Sequence, residues 1–215
     1  MSISTSNIST LRAQTGAGML DCKRALDESN GDMEKAVEWL RKRGIAKAAK
    51  RAGKIAAEGT VASYIHAGGK VGVLVEVNSE TDFVAKNDQF QDLVKDIALH
   101  IAAVSPKYVS RDEVPVELLE KEKDVYREQM KNEGKPSDII EKIIEGKINK
   151  FYGEICLLEQ PFIKDDQKTI EEILIAKTGE IGEKISVRRF ARFELGEGIE
   201  KETKNFAQEV EEQIA

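Results

Sequence analysis

Val71-Gly72-Val73-Leu74-Val75-Glu76-Val77-Asn78-Ser79-Glu80-Thr81-Asp82-Phe83-Val84-Ala85-Lys86 joins two opposite periodicities within one short stretch. Up to Val77 the β-branched residues recur at every second position, as in a strand with one buried face. From Asn87, a helix cap, the apolar residues Phe90, Leu93, Val94, Ile97, Ile101 and Val104 recur at three- and four-residue steps, as on a helix with one buried stripe. Thr81-Asp82-Phe83-Val84 lies in the connection, a place to hold a side chain out rigidly. Phe83 belongs to neither stripe. Composition favours its folding back into the core as a staple before the helix; the alternative is a wedge for a partner protein.

Working outward, Val61, Ser63 and Ile65 alternate with Ala62, Tyr64 and His66, and Ala67-Gly68-Gly69 turns the chain into the valine strand. A late strand over residues 185–195 places Ile185 and Val187 on one face and Arg188, Phe190 and Arg192 on the other. It is the natural partner of the hairpin. The expected core is therefore α+β, a three-stranded antiparallel sheet with flanking helices.

Residues 4–44 read as three short helices. The first carries Ile8 and Leu11 and stops at Thr15-Gly16-Ala17-Gly18; the second turns Cys22, Ala25 and Leu26 inward and ends at Asn30-Gly31. Asp32 caps the third, with Met33, Ala36, Val37 and Leu40 on its buried face, and Gly44 is expected to end it. From its last turn onward Arg41, Lys42, Arg43, Lys47, Lys50, Arg51 and Lys54 form a basic run without an acidic residue, read as a solvated connecting helix rather than a phosphate site. The domain plan is a helical module at 1–44, a basic linker at 45–58, the core at 59–199 and an amphipathic helix at 200–215 bearing Phe206, Val210 and Ile214.

Between the Ser105-Pro106 break and Gln160 lie two highly charged segments. Val116, Leu118, Leu119, Val125, Tyr126 and Met130 are available for burial in the first; Ser137 is the expected cap of the second, which carries Ile139, Ile140, Ile143, Ile144 and Ile148. Together they predict a protruding antiparallel pair or a helical flank. A short helix is expected over 169–177, with Asp165, Asp166, Glu171 and Glu172 as helix-start charges.

A net charge of −6 opposes nucleic-acid binding as the main activity, because phosphate affinity depends on clustered Lys and Arg. Cys22 and Cys156 have no cysteine neighbours, and with only His66 and His100 they make neither a metal framework nor a disulfide scaffold. No stretch has the character of a signal peptide or membrane span, which places the chain in the cytoplasm. Gly68-Gly69-Lys70 precedes a strand and lacks the following Ser or Thr, so it is no phosphate loop. His66 and His100 have no catalytic motif neighbours, and Cys156 reads as a small buried hydrophobe. No catalytic residue, metal site or cofactor is expected. The residues alone reach an α+β interaction protein with a helical module.

Leu11-Arg12-Ala13-Gln14-Thr15-Gly16-Ala17-Gly18-Met19-Leu20-Asp21-Cys22-Lys23-Arg24-Ala25-Leu26 resembles the N-terminal signature of the elongation factor Ts family, and Glu76 to Lys86 resembles its second signature. Arg189-Phe190-Ala191-Arg192-Phe193-Glu194-Leu195-Gly196-Glu197-Gly198-Ile199-Glu200-Lys201 is similar to the family's C-terminal segment. The resemblance implies a guanine-nucleotide exchange factor for elongation factor Tu. It implies a ubiquitin-associated-like fold for the first module, with Arg12, Met19, Leu20 and Lys23 on the partner. It carries Thr81, Asp82, Phe83 and Val84 onto the tip that dislocates Mg²⁺ from the GTPase, and so turns the weight on Phe83 toward the wedge. Met19-Leu20 stands where Met-Met is common, a near-isosteric change. The longest members have two core subdomains where this chain shows one, which implies a homodimer, with residues 160–195 as its interface. The competing reading is an adaptor whose helical module binds ubiquitin-like or other helical proteins without releasing nucleotide. A hydrolase using His100 is a third.

Overall fold

The computed structural model describes residues 4–199; the expected helix at 200–215 lies outside them. Helices α1 (Thr5–Thr15), α2 (Met19–Glu28) and α3 (Met33–Arg51) enclose a small core of Ile8, Leu11, Cys22, Ala25, Leu26 and Ala36. Ser4 caps α1 through the Asn7 N–H, and Asp32 caps α3 through the Lys35 N–H. Gly16, at φ 69°, closes α1 in the left-handed region, where a Cβ is disfavoured.

Gly44 does not end α3. The helix continues to Arg51 because Gly44 is a packing residue: it faces Gly179 in α8 (Ile170–Ile181), where a Cβ on Gly179 would lie 2.6 Å from the Gly44 Cα. A helix of good formers tolerates one glycine at a cost of about 1 kcal/mol, which close helix contact offsets. The residues read as a separate linker thus begin as the last two turns of α3.

The main sheet has the expected composition, in the order β1 (Glu58–Ile65), β2 (Val71–Ser79), β5 (Ser186–Glu194), antiparallel throughout. The inner face of β2 presents Val73, Val75 and Val77. Against it lie Phe90, Leu93, Val94, Ile97 and Ile101 of α5 (Asp88–Val104), which Asn87 caps by accepting from the Gln89 N–H. Ile170, Leu174, Ile185 and Val187 join this core, as do Val109, Leu157 and Phe162. Full burial of each large apolar side chain contributes roughly 1.5–3 kcal/mol.

The facing pattern of β5 differs from strict alternation. Its register on β2 shifts between Glu76, opposite Arg189, and Val77, opposite Val187, which leaves Arg188 as the extra residue of a bulge. Phe190 therefore packs on the core side with Val187 instead of opposite it. Arg192 shares that side and donates to the Ala102 carbonyl from Nε and Nη2, both at 3.3 Å.

Helices α6 (Val116–Asn132) and α7 (Ser137–Ile155) form the expected antiparallel pair. Met130, Ile140, Ile144 and Ile148 bury between them, with Tyr126, Ile143 and Tyr152 alongside. Pro136 takes the N-cap position expected for Ser137. A second small sheet, β3 (Pro161–Phe162) with β4 (Asp165–Thr169), follows. Asp165 and Asp166 lie in β4 and are not helix-start charges. That role falls to Glu171 and Glu172, and Thr169 with Glu172 forms a reciprocal capping box on α8.

His100 is fully buried. Nδ1 accepts from the Ile163 N–H at 3.3 Å, so the ring proton sits on Nε2 and points to Gln160 Oε1 at 3.0 Å. Burial lowers its pKa from the usual 6.5, opposed by the bond to Gln160. A neutral ring is thus favoured in the fold, and its contribution is present above about pH 6.5 and lost as the pH falls through that value toward the lower folded pKa. Urea unfolding between pH 7 and pH 5 should show wild type losing more stability than His100→Gln; parallel losses would exclude the histidine as the source.

Candidate functional site: an exposed phenylalanine on a clamped strand end

β2 ends at Ser79, and Thr81 starts the one-turn helix α4 (Asp82–Ala85). The four residues of the tip divide in two. Phe83 is 82% exposed and Asp82 is exposed beside it, whereas Val84 packs against the core and Thr81 is half-buried. Phe83 is therefore not a staple. Ala85, buried at the end of the turn, and Val84 anchor one side so that Phe83 must project from the other. An exposed phenylalanine in a short, anchored turn loses little entropy on docking.

The polar atoms below the tip are tied down. Thr81 donates its backbone N–H to Glu183 Oε2 at 3.0 Å and its hydroxyl to Glu183 Oε1 at 2.8 Å, and its Oγ1 accepts from the Val84 N–H at 3.4 Å. Ser79 Oγ donates to the Thr81 carbonyl at 2.9 Å. Glu80 accepts from the Lys184 N–H at 2.7 Å and from Arg51 Nη1 at 3.0 Å, joining the end of α3 to the tip. On the exposed side Lys86 donates to Asp82 at 2.7 Å, and that bond holds the Asp82 carboxyl below its usual pKa. A solvated pair of this kind is weak and readily exchanged for another donor.

Met19 and Leu20 open α2 and are 44% and 74% exposed, although Cys22, Ala25 and Leu26 of the same helix are buried. Arg12 and Lys23 are also exposed. The two groups of candidate residues thus occupy two separate elements, the first turn of α2 with its neighbours and the β2–α4 corner. Both present large apolar side chains to solvent.

Much of the basic run is engaged internally. Lys47 and Arg43 lie 2.7 and 3.4 Å from Asp21, Arg51 pairs with Glu80, and Lys42 with Glu38. The bond from Lys47 lowers the Asp21 pKa. Arg43 and Lys47 fasten α3 to α2, Arg51 fastens it to the tip, and Lys42 pairs within α3, so these side chains do not form an open phosphate track. Burial pushes the Cys156 thiol up to about 11 and raises Cys22 as well, which leaves neither as a thiolate at neutral pH. Among the described residues no three His, Cys, Asp or Glu side chains group as metal ligands, and no described helix is long and apolar enough to cross a membrane.

The Glu183 contact escaped sequence reading because its partner lies 102 residues away. The exposed pair at the start of α2 was legible only through the resemblance.

Comparison with known proteins places the chain in one family. Residues 25–197 match the family described as Elongation factor TS. The chain is 63% identical to an elongation factor Ts of Geobacter sulfurreducens over 210 residues, 98% of this chain and 97% of the relative. It is 62% identical to an elongation factor Ts of Acetivibrio thermocellus, covering 96% of each, and 60% identical to one of Alkaliphilus oremlandii, covering 100% and 99%. With a family match over most of its length and this identity across nearly whole relatives, the chain belongs to the elongation factor Ts family.

Proposed function

We propose that the chain is a guanine-nucleotide exchange factor that binds elongation factor Tu with GDP and promotes GDP release during translation elongation in the cytoplasm. The observation that carries this reading is Phe83, held out by an anchored turn in a member of the elongation factor Ts family. The helical module grips the GTPase through Arg12, Met19, Leu20 and Lys23. The tip enters between two of its helices: Phe83 is the wedge, and Asp82 exchanges Lys86 for donors on the displaced backbone. Thr81 and Val84 hold the turn. The displacement spoils the Mg²⁺ and phosphate contacts of GDP, and the chain supplies no catalytic residue or cofactor of its own. No nucleic acid or membrane takes part.

In the proposed domain plan, residues 1–44 grip the partner, 45–58 carry the end of α3 and a connector, and 59–199 present the tip. Linkage makes the exchange coupling reciprocal: GDP must weaken binding of this chain by the factor by which this chain weakens GDP. Calorimetry on elongation factor Tu with and without GDP tests it. The expected result is markedly tighter binding to the nucleotide-free GTPase. Equal affinity for both forms, which shifts no equilibrium, would leave the adaptor reading in its place.

We also propose a homodimer, its interface joining Phe193 and Leu195 of the expected 160–195 region to the outer face of β1 and β2. Val61, Ile65, Leu74, Phe193 and Leu195 are 49–75% exposed on the strands β1 and β2 and on or just past β5. Exposed apolar side chains gathered on one sheet face fit a second copy of the same face. Sedimentation should report a dimer for wild type and a monomer for Phe193→Glu; a wild-type monomer at assay concentration excludes the interface.

A further inference from the structure

Glu183 follows Gly182, whose φ of 87° ends α8 in the left-handed region and turns the chain toward β5. Its carboxylate accepts both donors of Thr81, at 3.0 and 2.8 Å. A hydroxyl has a single proton, so directing it at Glu183 turns an oxygen lone pair to the Val84 N–H and sets the cap of α4. The next residue grips the same corner from the other side. Lys184 donates its N–H to Glu80 and its ammonium to the carbonyls of Ala52 and Lys54, at 2.8 and 3.1 Å. The Glu80 side chain is only 15% exposed, so this polar network lies under the tip and not on its outer surface.

We infer that Glu183 is a positioning residue for nucleotide exchange: its two-point hold on Thr81 fixes the turn that presents Phe83. The inference rests on the exchange reading above and deepens it. Glu183 acts through Thr81 on Phe83 and needs no contact with the partner. Losing its carboxylate frees the Thr81 hydroxyl to rotate and lets the turn sample geometries in which Phe83 is misdirected. Binding through the helical module is unaffected. The cost therefore falls on the step that opens the nucleotide site.

The test follows release of a fluorescent GDP analogue from elongation factor Tu as the full chain is titrated to saturation. Glu183→Ala is expected to lower the maximal release rate roughly tenfold, with little change in the half-saturating concentration, and Glu183→Gln to recover part of the loss because its amide oxygen still accepts from Thr81. In a Phe83→Ala background, Glu183→Ala should cause no further loss, since the two act as one unit. In the free protein, amide hydrogen exchange at Thr81 and Val84 should speed up in Glu183→Ala while the β2 amides of Val73 and Val75 keep their protection. If wild type accelerates release and Glu183→Ala matches it, or if Glu183→Ala costs as much without Phe83 as with it, the positioning role is overturned and the exchange reading survives. If wild type itself fails to accelerate release, the exchange reading falls and takes the positioning role with it.

Discussion

Phe83→Ala is expected to bind elongation factor Tu yet lower the maximal rate of GDP release by ~30- to 100-fold, the equivalent of about 2–3 kcal/mol of lost stabilisation of the opened state. The size follows from what the residue does in each state. In the free chain Phe83 is 82% exposed, so its truncation removes almost no burial, and unfolding stability should stay within about 0.5 kcal/mol of wild type. In the complex the ring is the large apolar group that the tip inserts, and aromatic anchors in desolvated pockets carry the largest truncation costs. Stopped-flow release paired with urea unfolding checks both halves. Unchanged release would remove the wedge, and a large stability loss would return Phe83 to the staple role.

Gly179→Ala should destabilise the fold by about 1–3 kcal/mol, the cost of an overpacked contact. The new methyl would stand 2.6 Å from the Gly44 Cα and 2.7 Å from its carbonyl oxygen, both backbone atoms that move only if α3 and α8 separate. The converse change is milder, because a Cβ on Gly44 meets Gly179 only at 4.0 Å. Gly146→Ala in α7 meets nothing within 4 Å, and should stabilise by roughly 0.5–1 kcal/mol through helix propensity. Urea unfolding of the three variants measures the asymmetry. Equal effects at Gly179 and Gly146 would mean that the α3–α8 contact carries no close packing.

Local chemistry was readable wherever its partner is close in sequence. The valine alternation of β2, the Asn87 and Asp32 caps and the stripe of α5 all depend on neighbours within a few residues, and each has its expected place except Val104, which ends the stripe 40% exposed. Apart from the α7 cap, which falls on Pro136 and not on Ser137, what sequence reading missed depends on distant contacts. Gly44 looks like a helix stop until Gly179 is brought against it, and Arg188 looks like an alternating strand residue until β2 imposes the bulge. β4 was read as the approach to a helix, since Asp165-Asp166-Gln167-Lys168 has no buried face. At the tip, the exposed pair Asp82 and Phe83 stood out as an anomaly between two regular periodicities. Thr81 and Val84 carry no such signal: the hydroxyl acquires its role only when Glu183 reaches it, and the valine when the core closes over it.

The most direct test of the exchange account is the release rate of a fluorescent GDP analogue from elongation factor Tu as the wild-type chain is raised to saturation. The account predicts a rate that climbs from the intrinsic value to a plateau well above it. A rate that stays at the intrinsic value while the complex demonstrably forms would contradict it.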